Sequence, residues 1–247
     1  AYFGTRWHCL TCALADLATQ VSIEEFPYLV QVENRVGPVW LQHCVGSVLT
    51  NYHILSAASC FTDYATTTNS RIRAGANYRG IDGVVKEIYS ISNHPTYGLL
   101  GDDGDISVLR LQSSLTFSST IRQVAIFGDG IYLPENSEVT LLGWGATAEG
   151  GIEGNNYLYS LELTTTNEEE CLIKYISDRI VTENMVCAGL YDTKGRNFDY
   201  TDVGAPLIFQ NIVAGIVSFG VPSTDDEYPI VSAAVGSYSD WIIATAV

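Results

Sequence analysis

The cysteines are the residues of this chain whose type and spacing most directly suggest chemistry. They are Cys9, Cys12, Cys44, Cys60, Cys171 and Cys187. The C-x-x-C spacing of the first two occurs in zinc knuckles and redox pairs, but no second C-x-x-C or histidine pair completes a metal site, and no βαβ pattern follows. An even cysteine count favours disulfides and leaves the pairing open. We therefore predict no metal and no cofactor, with Cys9 and Cys12 in a local disulfide or in a link to another chain.

Short runs rich in Val, Ile, Leu, Tyr and Thr must supply the elements that position these residues. Gly, Pro, Asn, Asp and Ser separate the runs, which is typical of many short antiparallel strands. The candidate strands are residues 28–33, 46–50, 71–74, 84–92, 106–111, 137–143, 157–164, 207–210, 212–219 and 230–234. Two helices are predicted, at residues 168–176 behind an Asn167 cap and at residues 238–245. The pattern predicts an all-β protein, either as one large domain or as two small barrels.

The composition is strongly acidic, with 12 Lys and Arg against 28 Asp and Glu and a formal net charge of −16. Nucleic acid and anionic membranes attract clustered Lys and Arg, so we expect neither as a partner. A protein partner, which could be basic, fits this charge better. No apolar run reaches the roughly 18 residues that a membrane-spanning helix needs, and residues 1–12 are too polar for a signal peptide, which we expect to be already removed if there was one.

Several separate segments match the motifs of one enzyme family in the right order. They are residues 26–32, 55–60, 105–111, 143–145, 187–189, 201–207, 216–220 and 238–242. Together they resemble the chymotrypsin-like (trypsin-like, S1) serine proteases. The resemblance covers residues 26–243, and it is specific because so many motifs agree at once.

The resemblance implies a secreted, extracellular all-β protein of two packed antiparallel six-stranded β-barrels with a short C-terminal helix. It also implies the disulfides Cys44–Cys60 and Cys171–Cys187. The expected division is an N-terminal extension at residues 1–20, a first barrel at 21–130, a second barrel at 131–237, and a C-terminal helix at 238–247 that packs back on the first barrel. The functional site would then lie in the cleft between the barrels.

The resemblance also assigns the catalytic positions, and two of the three carry unsuitable side chains. In active members a serine attacks the peptide, a histidine takes its proton, and an aspartate orients the histidine. Here Val203 stands at the serine position and Ser59 at the histidine position, while Asp105 and the supporting Ser218 are retained. We therefore expect no enzymatic activity, and we expect Ser59 to hydrogen-bond with Asp105.

The remaining histidines offer no evident replacement for the general base. His53 lies six positions before Ser59 on an extended strand, which corresponds to about 20 Å at roughly 3.3 Å per residue. That distance is too large for proton transfer. His43 and His94 are expected to be ordinary surface or strand residues.

The resemblance places the oxyanion hole and the specificity pocket on residues that fit these roles poorly. The oxyanion donors would be the backbone N–H groups of Thr201 and Val203, and a β-branched threonine replaces a flexible glycine. The pocket positions are Asn197, Ser218, Gly220 and Ile230. Because Thr201 tolerates unusual backbone angles poorly, we expect the oxyanion hole to be collapsed. Because the Ile230 side chain replaces a small glycine, we expect the pocket to be blocked.

Asp202 corresponds to the carboxylate that, in active relatives, receives the new amino terminus after activation. The expected inserting segment, at residues 14–18, has neither a basic cutting site nor the required sequence. A buried carboxylate needs a cation, backbone donors, a proton or solvent. We predict a zymogen-like or rearranged loop at residues 197–203.

The leading functional hypothesis is a catalytically inactive protease homologue that acts by binding proteins, as a decoy, cofactor or regulator of a proteolytic defence cascade. Inactive members of the family include cofactors of insect defence cascades and inactivated paralogues of parasitic mites that are thought to interfere with host complement. A storage or structural protein is one alternative, since 15 tyrosines and a high acidic content suit abundance. A residual or non-standard hydrolase is another.

Overall fold

The computed structural model of the chain describes residues 18–62, 65–145, 156–190, 200–221 and 228–247. Cys9, Cys12 and Asn197 lie outside these residues, so the predictions for them stay predictions. Within the described part of the chain, no helix has both the length and the apolar character needed to cross a membrane.

The first barrel is formed by strands of the N-terminal half of the chain. The strands of this half are β1 (Ala18–Gln20), β2 (Leu29–Val36), β3 (Val39–Val48), β4 (His53–Ser56), β5 (Ser70–Ala74), β6 (Val84–Asn93) and β7 (Ser107–Leu111). All except β1 close into a barrel in the order β2-β3-β4-β7-β6-β5. In β5 buried and half-buried residues alternate, as expected when one face of a strand points into a barrel. By contrast, β4 is buried along its whole length.

The second barrel uses strands of the C-terminal half. They are β8 (Ala125–Ile126), β9 (Glu138–Gly143), β10 (Tyr159–Thr165), β11 (Met185–Gly189), β12 (Pro206–Phe209), β13 (Ile212–Phe219) and β14 (Ile230–Ala234). The ring runs β9-β10-β11-β14-β13-β12 and closes because β12 also pairs with β9. The short strand β8 pairs in parallel with β13, and β1 pairs with β10 outside the ring. The predicted pair of six-stranded barrels is therefore confirmed.

The two barrels share one core. A single cluster of buried apolar side chains contains Leu29 and Leu109 from the first barrel and Leu142 and Val217 from the second. This continuity agrees with the absence of a linker-like segment in the sequence. The site between the barrels therefore rests on a packed interface.

Both disulfides implied by the resemblance are present. Cys44 on β3 is bonded to Cys60, and Cys171 is bonded to Cys187 on β11, each with a sequence separation of 16. Closing a loop of this length restricts the unfolded chain and is worth about 3 kcal/mol in the chain-entropy view. The first of these bonds joins β3 to the short 3-10 helix Ala58–Phe61, which carries Ser59.

The described part of the chain contains two α-helices, α1 (Glu168–Tyr175) and α2 (Ser239–Thr245). The predicted cap of α1 is confirmed, because the Asn167 side chain accepts hydrogen bonds from the N–H groups of Glu169 and Glu170. Near α2, the Trp241 ring lies 4.9 Å from the ring of His94, which directly follows β6. The C-terminal helix thus contacts a first-barrel segment, while the predicted domain bounds stay a prediction.

Candidate functional site

The site is centred on Asp105, a fully buried carboxylate just before β7. Its Oδ1 accepts the N–H of Ser59 at 2.7 Å, and its Oδ2 accepts the hydroxyls of Ser59 at 2.9 Å and of Ser218 at 2.5 Å. The expected hydrogen bond between Ser59 and Asp105 is thereby confirmed. Burial raises the pKa of Asp105 above its ordinary value, against the opposing effect of these hydrogen bonds.

A strand irregularity places Ser218 against this carboxylate. On β13, Val217 lies opposite Ser232 and Phe219 lies opposite Val231, so Ser218 between them has no opposing residue. Such a bulge bends the strand and redirects a side chain. The second barrel thereby contributes a hydroxyl to a carboxylate held by the first.

Val203 is buried at the position predicted for the nucleophile. Its carbonyl accepts the N–H of Val45 on β3 at 2.9 Å, which fixes this loop against the first barrel. The next residue, Gly204, has φ +81°, and a Cβ there would overlap the Val45 carbonyl and the Ser56 hydroxyl. The loop thus keeps a tight, glycine-dependent path around an isopropyl side chain that can neither donate nor accept a proton.

One of the two predicted oxyanion donors, the Val203 N–H, is engaged within the protein, and Thr201 is held through its hydroxyl and its carbonyl. The N–H of Val203 points back to the Tyr200 carbonyl at 3.4 Å in a short 3-10 turn, Tyr200–Asp202. The Thr201 hydroxyl accepts a guanidinium N–H of Arg79 at 3.3 Å, and the Thr201 carbonyl accepts the Gln42 amide at 3.5 Å. These contacts agree with a collapsed oxyanion hole, which stays a prediction, as does the rearranged loop at residues 197–203.

A cavity of about 210 Å³ lies beside these groups. Ser59, Val203, Ser218 and Gly220 line it, so it brings together four site positions predicted from the sequence. It is also lined by residues to which no role was assigned, namely His43, Asp102, Arg179, Tyr200 and Phe219.

His43 is an exposed residue of β3, as expected, but it also borders this cavity. Partial burial lowers the pKa of its imidazole, so the neutral, proton-accepting form dominates at neutral pH. The sequence did contain a signal for this position. His43 precedes Cys44 and Ser59 precedes Cys60, and the disulfide between these cysteines holds the two residues on the same cavity.

Arg179 connects two segments at the edge of the cavity. Its guanidinium lies 2.7 Å from the Asp102 carboxylate and 4.9 Å from the centre of the Phe219 ring. The cavity therefore has an aromatic side on which the guanidinium of an ion pair lies.

The described positions of the predicted specificity pocket lie on β13 and β14 or next to them. Ile230 is fully buried on β14 opposite Ala188, and it belongs to the shared core. Ser218 and Gly220 line the 210 Å³ cavity, whereas Ile230 does not. The blocked pocket stays a prediction, because Asn197 lies outside the described residues.

Asp202 is almost fully buried, so its carboxylate does not reach solvent. Its oxygens lie against Gly143 and Gly145, and a Cβ at Gly145 would overlap both of them. The close approach of the Asp202 carboxylate therefore explains why glycine occupies both ends of the glycine-tryptophan-glycine segment, which begins at the last residue of β9. Across the described residues, no group of three or more His, Cys, Asp or Glu is arranged to hold a metal ion.

Comparison with known proteins gives a consistent result. The family model described as Trypsin matches residues 18–242. Trypsin, alkaline C of Manduca sexta is 32% identical over 224 residues, covering 90% of this chain and 86% of that protein. Trypsin CFT-1 of Choristoneura fumiferana is 35% identical over 206 residues, covering 83% and 80%, and a trypsin of Phaedon cochleariae is 31% identical over 224 residues, covering 90% and 84%.

These comparisons correct one prediction. From Val203 and Ser59 we predicted that the chain is not an enzyme, whereas these three relatives are named as trypsins. The two substitutions remove the serine and the histidine only from their expected positions. They do not remove every titratable group from the cavity, since the imidazole of His43 borders it.

Proposed function

Because this chain belongs to the trypsin family of serine proteases, we propose that it uses the cleft between its barrels to bind a segment of another protein. The observation that carries this proposal is an exposed apolar surface beside the cavity. This surface, the apolar rim, consists of Leu99, Leu100, Ile176 and Ile180. Contiguous exposed apolar surface of this kind marks protein interaction sites.

The apolar rim is built by two segments that are distant in sequence. The side chains of Leu99 and Ile176 are 78% and 71% exposed. Gly101 lies against the Ile180 side chain, and the Arg179–Asp102 ion pair joins the same two segments. Asp102 and Arg179 also line the cavity with Ser59 and Val203, so both segments that carry the rim reach the edge of the cavity.

Hydrogen bonds inside the cleft support the proposed binding role. The Ser59 hydroxyl is held by Asp105, and the Val203 amide is held by the Tyr200 carbonyl. Neither group is available to a substrate without breaking an existing hydrogen bond. A bound segment would gain contacts with the rim and with Phe219.

The disulfides favour an oxidising compartment, and a secreted binding protein on this scaffold would act as a decoy, cofactor or regulator of a proteolytic cascade. Its partner would be a protein, with neither nucleic acid nor membrane involved, in keeping with a net charge of −16.

A random-peptide display library selected on the immobilised protein tests the proposal. We expect enriched peptides whose affinity falls about tenfold or more in the double variant Leu99→Asp, Ile176→Asp, because two apolar contacts are lost. The matched control is Ile243→Asp, an exposed apolar residue of α2. Enriched peptides that bind the rim variant and the control equally would contradict the proposal.

Peptide hydrolysis is a second candidate, favoured by the names of the relatives and by His43 in the cavity. A neutral imidazole could take a proton from water as the water attacks a peptide carbonyl. Broad peptide and ester substrates test this directly. Turnover above the buffer blank that is lost in His43→Ala would support hydrolysis, and turnover equal to the blank would exclude it for those substrates.

A further inference from the structure

A second cavity, of about 600 Å³, lies on the second barrel and shares no lining residue with the cleft. It opens where residues 131–135, the beginning of α1 and the beginning of β11 meet. Its volume is within the range of roughly 300–1,000 Å³ that is common for ligand sites. The function proposed above makes no use of it.

The lower part of the cavity is apolar and shaped by small side chains. Ala214 on β13 and Ala234 on β14 leave room that larger residues would fill, and Met185 and Val186 complete this apolar part. The facing wall is held in place at Gly236, where a Cβ would overlap the carbonyl of Ile131. The cavity is therefore preformed by packing.

The rim of the cavity is acidic. Glu135, Glu168 and Glu183 are exposed there, and no Lys, Arg or His is found among the described residues that line the cavity. The Asn167 amide donates to Glu135 at 2.9 Å and so orients one carboxylate. The N-terminus of α1 contributes only about half a positive charge, which three carboxylates outweigh.

An aromatic face also lies at this rim. Tyr132 is an exposed lining residue, and its hydroxyl accepts the Ser237 hydroxyl at 3.4 Å. A cation above such a ring is attracted by the ring's quadrupole. Apolar depth, carboxylates and a tyrosine ring together suit a long aliphatic side chain that ends in a positive charge.

We propose that this cavity binds an arginine or lysine side chain from a basic segment of a partner protein. The aliphatic part of that side chain would lie on Val186 and Ala234, and its charged head would meet the carboxylates of Glu168 and Glu183. The net charge of −16 would also speed the approach of a basic partner.

The test is calorimetric titration of the full chain with the probe acetyl-Leu-Arg-Leu-Arg-amide. We expect saturable binding that weakens with added salt and that becomes about tenfold weaker in the triple variant Glu135→Gln, Glu168→Gln, Glu183→Gln. The same peptide with citrulline in place of arginine keeps the shape without the charge. It should bind the wild-type protein at least as weakly as the arginine peptide binds the triple variant. Glu24→Gln, at an exposed glutamate outside the cavity, is the matched control and should leave the affinity unchanged.

Two further variants distinguish binding in this cavity from binding in the cleft. Val186→Phe should fill the cavity and reduce binding of the arginine peptide, while the Leu99→Asp, Ile176→Asp variant of the cleft should bind it normally. Equal affinity of the citrulline peptide, an equal loss in Glu24→Gln, or a loss only in the cleft variant would overturn the proposal. Tight binding of spermidine without any binding of the arginine peptide would also overturn it, in favour of a small organic cation.

Discussion

Glu33 and Asp105 are both fully buried carboxylates, yet the protein holds them in different ways. Glu33 on β2 forms ion pairs with Arg71 and Arg73, each at 2.6 Å, and the Arg71 guanidinium also lies 4.2 Å from the centre of the Trp40 ring. Asp105 accepts one N–H and two hydroxyls, and none of these donors carries a charge.

The difference separates a structural carboxylate from one at a functional position. The charge of Glu33 is compensated by two cations, so its burial is compatible with a stable barrel. The burial of Asp105 raises its pKa, which means that the folded state disfavours its charged form. Groups of this second kind are concentrated at functional sites, and Asp105 lies where the two barrels meet.

The largest effect is expected from Glu33→Gln. This change leaves two partly buried guanidinium groups without their anion, and we expect the free energy of unfolding to fall by about 3 kcal/mol. Urea denaturation at neutral pH measures it. The exposed Glu24→Gln should change stability by less than about 0.5 kcal/mol, and equal losses in both variants would contradict the assigned structural role.

Removing a serine hydroxyl that donates to Asp105 should have a smaller effect on stability. Ser218→Ala deletes a buried hydrogen bond to the carboxyl group of Asp105, and we expect a loss of about 2 kcal/mol at neutral pH. In Ser59→Ala the backbone N–H of residue 59 still donates to the carboxylate, so the loss should be about 1 kcal/mol. If Ser59→Ala were the more damaging change, the role given to the bulge at Ser218 would be wrong.

The smallest effect, of opposite sign, is expected from Asp105→Asn. Because the pKa of Asp105 is raised on folding, the folded state binds a proton more tightly than the unfolded state, and the wild type loses stability as the pH rises through the unfolded and then the folded pKa. The asparagine variant does not titrate there. Its stability relative to wild type should therefore increase between about pH 4 and about pH 7. Denaturation curves at both pH values would contradict this if the difference decreased.

The sequence predicted the parts of the fold that local patterns and family motifs define. Both barrels, both disulfides and the Asn167 cap of α1 are as expected. The strand β4 was not among the candidate strands, because four consecutive buried residues show no alternation, although His53 was placed on an extended strand. The strand β11 was missed although it carries Cys187, and β1 and β8 are only two or three residues long.

Only those parts of the candidate site that belong to family motifs could be predicted from the sequence. Ser59, Asp105 and Ser218 come together as expected. The Arg179–Asp102 ion pair joins residues 77 positions apart, so no local sequence pattern indicates it. The bulge at Ser218 depends on the pairing between two strands, so it could not be predicted from the sequence either. Such features arise from tertiary packing, which a single sequence does not display.

The most direct test of the binding role is a crystal structure of the protein with a peptide selected from the library. The account predicts that the peptide lies between the barrels, that it contacts Leu99 and Ile176, and that its main chain passes over Val203. A peptide bound elsewhere on the surface, with the cleft and the apolar rim uncovered, would contradict it.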